Sequence, residues 1–184
     1  VVIKLPLPPG TLLDLWKDNE RFKAGYLNKF PGYYFSGDGG YKDDDDYIYI
    51  TGRVDDVINV AGHRLSTAEM EEIVASHHSV AECAVIGIND ELKGQIPLAL
   101  VVAKSGEDIE HFQLQYEVVH LVREQIGAVA SLRDVVVVNR LPKTRSGKIL
   151  RKMMRSIADG EQFQIPSTID DEAIIDEIRK VLEH

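Results

Sequence analysis

Cysteine is nearly absent from this sequence: Cys83 is the only one in 184 residues. An internal disulfide is therefore excluded, and the chain fits a reducing compartment such as cytosol or mitochondrial matrix. Cys83 falls in the strand-like run AECAVIGI, where a buried, inert thiol is expected. No apolar run approaches 18 residues, so no membrane-crossing helix is expected. The start, VVIKLPLPPG, lacks the charged-then-apolar layout of a secretion signal and reads as a chain cut within a longer protein. The end, Leu182-Glu183-His184, reads as the stub of an affinity-tag linker. There is no internal repeat and no low-complexity tract. Positive charge is outnumbered, with 21 Lys and Arg against 30 Asp and Glu, and the net charge of −9 argues against general nucleic-acid binding.

One segment concentrates cationic charge without any carboxylate. Residues 135–158 carry Arg140, Lys143, Arg145, Lys148, Arg151, Lys152 and Arg155 and not one carboxylate. In an acidic chain, that segment points to a specific anionic ligand such as phosphate. Within it, LPKTRSGK combines Pro142, Gly147 and Lys148 in a turn-rich loop, from which a lysine can be swung to a phosphate as a point charge. By itself such a loop reads most simply as a solvated basic turn. It is not a P-loop, because the GxxxxGK[ST] pattern is missing.

Residues 1–54 read as strands and turns closing one unit, with the four-Asp run in YKDDDDYIYI as a hairpin turn. A short link, RVDD, leads into a helix that Ser66 can cap, Glu69 can complete as a capping box, and Leu65 with Met70 can staple. Two strands follow, AECAVIGI and IPLALVVAK. A helix over about 110–126 places Leu114, Val118, Leu121 and Val122 on one face, with Gly127 as its stop. DVVVVN reads as a central strand, because it is apolar throughout. A basic helix from about Ile149 and an amphipathic helix in IDDEAIIDEIRKVL complete an α+β domain: a small antiparallel or mixed sheet flanked by helices.

Two further stretches carry chemistry. In YFSGDGGY, Asp38 sits between glycines at a strand end, where a carboxylate can accept from both vicinal hydroxyls of a ribose; taken alone it is an ordinary turn Asp. GRVDDVINVAGHR supplies Arg53 and Arg64 as anion or hydroxyl donors, Asp55 in the link, and Gly62 for close backbone approach.

The three stretches GYYFSGDGGY, ITGRVDDVINVAGHR and LPKTRSGKILR, in this order and spacing, resemble the AMP-forming acyl-CoA synthetases, a family that includes luciferases and nonribosomal adenylation domains. INVAGHRLSTAEMEEIVASHHSVAECAVIG, DELKGQIPLALVV and the tail PSTIDDEAIIDEIRKVL are similar to the short-chain branch, propionyl-CoA synthetases somewhat more than acetyl-CoA synthetases.

That resemblance implies activation of a short-chain carboxylate with ATP to acyl-AMP, followed by transfer to coenzyme A. It implies that residues 1–54 end a large N-terminal adenylate-binding domain and that 55–184 form a mobile C-terminal domain that turns against it. Asp38 would bind the AMP ribose with help from Arg53, and Asp55 would be the hinge. Lys148 would bridge the carboxylate and the α-phosphate. Ala61 and Gly62 would line the pantetheine tunnel, Arg64 would meet nucleotide phosphate, and Arg123 would contact the nucleotide end of coenzyme A. Where the acetyl branch usually has Ser, Ala61 leaves a hydroxyl contact in doubt.

Catalytic Mg²⁺ would arrive with ATP. Some relatives hold a structural cation at positions matching Ala75, His77 and Val80, but nothing in the sequence requires it, and an exposed His77–His78 pair is the favoured reading of these residues. Lys148 matches a lysine that is reversibly acetylated in short-chain relatives, which makes an acetyltransferase and a deacetylase implied partners. No nucleic acid and no membrane is expected among the partners. The chain alone is expected to be inactive in adenylation, because no Ser/Thr/Gly-rich phosphate loop or YGxTE-like segment is in it. Other outcomes for the same residues are a medium-chain ligase, an adenylation domain, or a non-catalytic module that binds phosphate or nucleic acid through 140–155.

Overall fold

A computed structural model describes residues 1–106 and 109–182. The chain divides into two compact units, Val1–Asp55 and Asp56–His184.

The first unit is built from two antiparallel pairs. β1 (Val2–Lys4) lies against β2 (Tyr33–Phe35), and β3 (Asp38–Lys42) against β4 (Ile48–Arg53). The Asp run closes the β3–β4 hairpin as its turn. The Asp43 carboxylate accepts the Asp45 and Tyr47 amides at 3.0 and 2.9 Å, and Asp46 adopts φ 70°. A short helix, α1 (Asn19–Phe22), runs into a π-type turn at Lys23–Leu27, which was not expected among strands and turns. Asp18 caps it by accepting the Arg21 amide at 3.2 Å, and Phe22 buries its ring beside Tyr26.

In the second unit, five strands form one mixed sheet among the described residues. They are β5 (Val57–Val60), β6 (His63–Ser66), β7 (Val80–Asp90), β8 (Gly94–Ala103) and β9 (Asp134–Val137). Their order is β6-β5-β8-β7, with β9 parallel to β8 and every other pair antiparallel. Helices α2 (Thr67–Ala75) and α3 (His111–Gln125) cover one face; α4 (Arg151–Ala158) and α5 (Ile174–Leu182) cover the other. Alternate residues of β7 and β8 feed the two cores: Val85, Ala99 and Val101 pack under α2 and α3, while Ile86, Leu98 and Leu100 pack under α4 and α5.

β9 is an edge strand, not a central one, because it pairs with β8 alone. Its apolarity comes from the two layers. Val135 enters the α2–α3 core, and Val136 and Val138 enter the other. The Gln115 side-chain amide, from α3, donates to the Val135 carbonyl and so covers a polar group at this edge.

α2 starts as its sequence dictates: Ser66 accepts the Glu69 amide at 3.3 Å, and Met70, Ile73 and Val74 are buried. α4 begins at Arg151, two residues later than expected, because Ile149 is held in an antiparallel bridge with Lys143. Leu182 is the last residue of α5 and packs on the second core, so it belongs to the fold and not to a tag linker; Glu183 and His184 lie outside the described residues. Among the described residues, no helix is long and apolar enough to cross a membrane.

Candidate functional site

In the first unit the chemistry gathers around Arg53, at the end of β4. Its Nη1 donates to the Ser36 carbonyl at 3.0 Å and reaches Asp38 Oδ1 at 3.5 Å, while Nε donates to Asp55 Oδ1 at 3.0 Å. The strong hydrogen bond to Asp55, with both nearby carboxylates, holds the guanidinium pKa above its usual value. Gly37 is what lets the guanidinium lie there. It has φ 81°, and a Cβ on it would fall 2.6–2.8 Å from Arg53 Nη2, Nη1 and Cζ. Three residues that the sequence singled out separately, Asp38, Arg53 and Asp55, therefore form one hydrogen-bonded group. Asp38 is half-buried and Arg53 is exposed, so the group is open to a hydroxyl-bearing ligand.

In the second unit, Ala61 and Gly62 are the two turn residues of the β5–β6 hairpin, with φ 49° and 89°. Positive φ at both central residues is what a tight hairpin of this hand requires. The Ala61 amide donates to the Lys93 carbonyl at 2.8 Å, which fixes the turn against the β7–β8 connection. An added Cβ on Gly62 would meet nothing within 4 Å. The tip is open on this unit, and Arg64 beside it is exposed. Arg123, in the last turn of α3, lines a concave region of about 450 Å³ with Lys93, Ser131 and Arg133.

The Lys148 loop is more rigid than a swinging turn. Thr144 N donates to the Lys148 carbonyl at 2.8 Å, Gly147 N to the Thr144 carbonyl at 2.8 Å, and Lys148 N to Thr144 Oγ1 at 3.1 Å. Leu150 N closes the stem on the Pro142 carbonyl at 2.9 Å. A strap formed by residues 167–170 runs alongside: Arg145 N donates to the Thr168 carbonyl and Asp170 N to the Lys143 carbonyl, at 2.9 and 3.0 Å.

Three of the seven cations of the segment are paired with carboxylates from outside it. Arg140 pairs with Asp171 and Glu177, Lys143 with Glu82, and Arg151 with Glu71. Lys148 is exposed, and its ammonium has no carboxylate partner among the described residues.

Two local expectations change. His77 is buried, not half of an exposed pair: its Nε2 lies 2.9 Å from Glu117 Oε2, and its Nδ1 accepts the Ser79 amide at 3.2 Å. With both ring nitrogens engaged, a cation at positions 75, 77 and 80 would rest on main-chain oxygens, and the His77 carbonyl already accepts the Val80 amide at 3.1 Å. Among the described residues, no group of three or more His, Cys, Asp or Glu side chains could hold a metal ion. Cys83 is half-buried, its thiol donating to the Glu71 carbonyl at 3.4 Å; burial pushes its pKa up to about 11, so it stays protonated and inert.

Sequence reasoning missed Gly37, the strap and the Glu71–Arg151 pair. A glycine immediately before the candidate carboxylate Asp38 was a weak signal for the first. Nothing local marks a pair 80 residues apart.

Residues 69–148 match the family described as the AMP-binding enzyme C-terminal domain. Over 182 residues, 99% of the chain, it is 63% identical to the uncharacterized protein PA3568 of Pseudomonas aeruginosa. Over the same length it is 50% identical to acyl-CoA synthetase short-chain family member 3, mitochondrial, of Mus musculus. An acetyl-coenzyme A synthetase of Bdellovibrio bacteriovorus is 45% identical over 172 residues, 92% of the chain. The chain spans 29%, 27% and 26% of the length of these three relatives. Among solved structures, ATP-bound MatB from Rhodopseudomonas palustris superposes with a TM-score of 0.66 at 25% identity, covering 79% of this chain and 28% of that one. The amide bond synthetase McbA from Marinactinospora thermotolerans gives 0.67 at 28% identity, covering 84% and 34%.

Proposed function

We propose, from the match of residues 69–148 to the AMP-binding enzyme C-terminal domain and the 50% identity to a short-chain acyl-CoA synthetase, that the chain is the C-terminal domain of an AMP-forming short-chain acid–CoA ligase. In the first half-reaction a carboxylate oxygen attacks the α-phosphorus of ATP and pyrophosphate leaves. In the second, the thiol of coenzyme A attacks the acyl carbonyl and AMP leaves. The observation that carries this reading is the Lys148 ammonium: exposed and without a carboxylate partner among the described residues, on a hydrogen-bonded loop, while nearby Arg140, Lys143 and Arg151 are each held by a carboxylate. A fixed cation of this kind stabilises charge that builds up between carboxylate and α-phosphate. Its loss costs about 3–4 kcal/mol of transition-state stabilisation, by analogy with an oxyanion donor.

Each remaining group takes a matching part. Asp38 accepts from the ribose hydroxyls, and Arg53 orients it while tied to Asp55. Asp55 is the hinge between residues 1–54 and the mobile domain that follows. When the domain turns, the Ala61-Gly62 tip enters in place of Lys148 and borders the pantetheine arm, Arg64 meets nucleotide phosphate, and Arg123 takes the nucleotide end of coenzyme A. Mg²⁺ comes with ATP and offsets charge on its phosphates; the ATP and acyl pockets lie mainly in a large N-terminal domain, the partner of this one. Acetylation of Lys148 removes its charge and blocks the first half-reaction alone. A preference for propionate over acetate is supported by the resemblance of INVAGHR and the tail PSTIDDEAIIDEIRKVL to propionyl-CoA synthetases.

The test is ATP–pyrophosphate exchange in the full-length protein with acetate, propionate, butyrate and octanoate. Exchange is expected with the two shortest acids and is expected to vanish in Lys148→Ala. Exchange driven only by octanoate would replace this reading with a medium-chain one.

A further inference from the structure

We propose that the Glu71–Arg151 pair is the positioning brace of the Lys148 loop, an inference that rests on the role given to Lys148 above. Lys148 sits near the end of a loop whose stem closes where Leu150 N meets the Pro142 carbonyl, and Arg151, the next residue, opens α4. No side chain caps that helix, and Leu150 at the cap position offers none. A helix start without a cap is a weak anchor, because its first amides have no partner within the helix.

Arg151 supplies the anchor instead. Its Nε and Nη2 donate to the two oxygens of Glu71 at 2.9 and 2.7 Å, and Glu71 Oε1 also accepts the Val85 amide of β7 at 2.8 Å. The carboxylate thus ties helix α4 to helix α2 and to the sheet at one point. The pair is mostly out of water, with side-chain exposures of 26% for Arg151 and 16% for Glu71. A two-pronged arginine–carboxylate contact fixes direction as well as distance, which a single ammonium contact does not.

The brace serves one loop only. α2 keeps its place without Glu71, because Met70, Ile73 and Val74 bury its apolar face, and the Ala61-Gly62 hairpin leads directly into α2. α4 likewise keeps Met153, Met154 and Ile157 in the second core. Breaking the pair therefore frees the stem beside Lys148 without unseating either helix or the hairpin. Only the half-reaction that uses Lys148 should suffer.

The experiment compares Glu71→Gln, Arg151→Lys and Lys148→Ala in the full-length enzyme, following acyl-AMP formation and the conversion of supplied acyl-AMP plus coenzyme A separately. Both brace variants are expected to slow acyl-AMP formation on the order of tenfold to a hundredfold, as small displacements of a reacting group do. KM for ATP should stay within about twofold, since ground-state binding is untouched, and the thioester step should run at the parental rate. Arg151→Lys, which keeps the charge but loses the fork, should be the milder of the two. If Lys148→Ala forms acyl-AMP normally, the role of Lys148 itself is wrong. If Lys148→Ala is inactive while both brace variants match the parent, the brace is wrong. Equal loss of both half-reactions with a lowered Tm would make the pair a general stabiliser and overturn the proposal too.

Discussion

Gly37 shows how much can depend on one hydrogen atom. Its left-handed backbone and the 2.6–2.8 Å approach of the Arg53 guanidinium leave no room for a methyl group. Gly37→Ala should push Arg53 off the Ser36 carbonyl and cost about 1–2 kcal/mol of stability from backbone strain. In the full-length enzyme it should raise KM for ATP severalfold; an unchanged KM would separate Arg53 from ribose binding. Cys83 makes a second prediction at this scale. Its folded pKa of about 11 stands above the ordinary 9.0, so the folded state holds the thiol proton more tightly. The resulting stability is complete below pH 9 and is lost as pH rises toward 11. Cys83→Ser should flatten that alkaline fall in an unfolding series, and iodoacetamide should label native Cys83 slowly at pH 7.5.

At the scale of elements, the helices differ in what holds them. α2 carries its own start signal. Removing it in Ser66→Ala should cost about 1 kcal/mol, read as a shift in the urea midpoint with an unchanged m-value. α5 has a large apolar face and exposed charge pairs. Arg140 and its two carboxylates are each more than 40% exposed, so their ion pairs, screened by water, contribute little to stability. Ile178, 1% exposed, is what seats the helix, and Ile178→Ala should cost about 2–5 kcal/mol. Denaturation of Arg140→Ala and Ile178→Ala side by side checks the ranking.

At the scale of the whole molecule, the Lys148 loop is too well bonded to carry its lysine in and out by flexing. Its supports come from the stem, the 167–170 strap and the Glu71–Arg151 pair. On the proposed two-pose reading, exchange of Lys148 for the Ala61-Gly62 tip falls to rotation of the domain as one body about Asp55. Complementary losses are the expected signature. Lys148→Ala should abolish acyl-AMP synthesis yet convert supplied acyl-AMP, and Gly62→Leu should do the reverse, because its side chain would fill the open space at the hairpin tip. Loss of the same half-reaction in both variants would rule out the two-pose account.

The sequence by itself determined the local events. The Ser66 cap, the Asp-run turn, the stop at Gly127 and the apolar face of α3 are set by residues within a few positions of one another, so periodicity and turn chemistry reveal them. α1 escaped because four residues are too few to show a period, although the Asp18 cap was there to be read. Order and spacing of motifs also carried the resemblance to acyl-CoA synthetases. Tertiary structure alone decided which charges are free. The seven cations of 135–158 look alike along the chain, yet Arg140, Lys143 and Arg151 are paired with carboxylates 31–80 residues away, and Lys148 has no such partner among the described residues. It also decided that β9 is an edge, since an apolar strand between two helix layers has the same sequence whether one neighbour or two lie beside it. Both are long-range facts: pairing partners are chosen by the fold, and no local pattern records them.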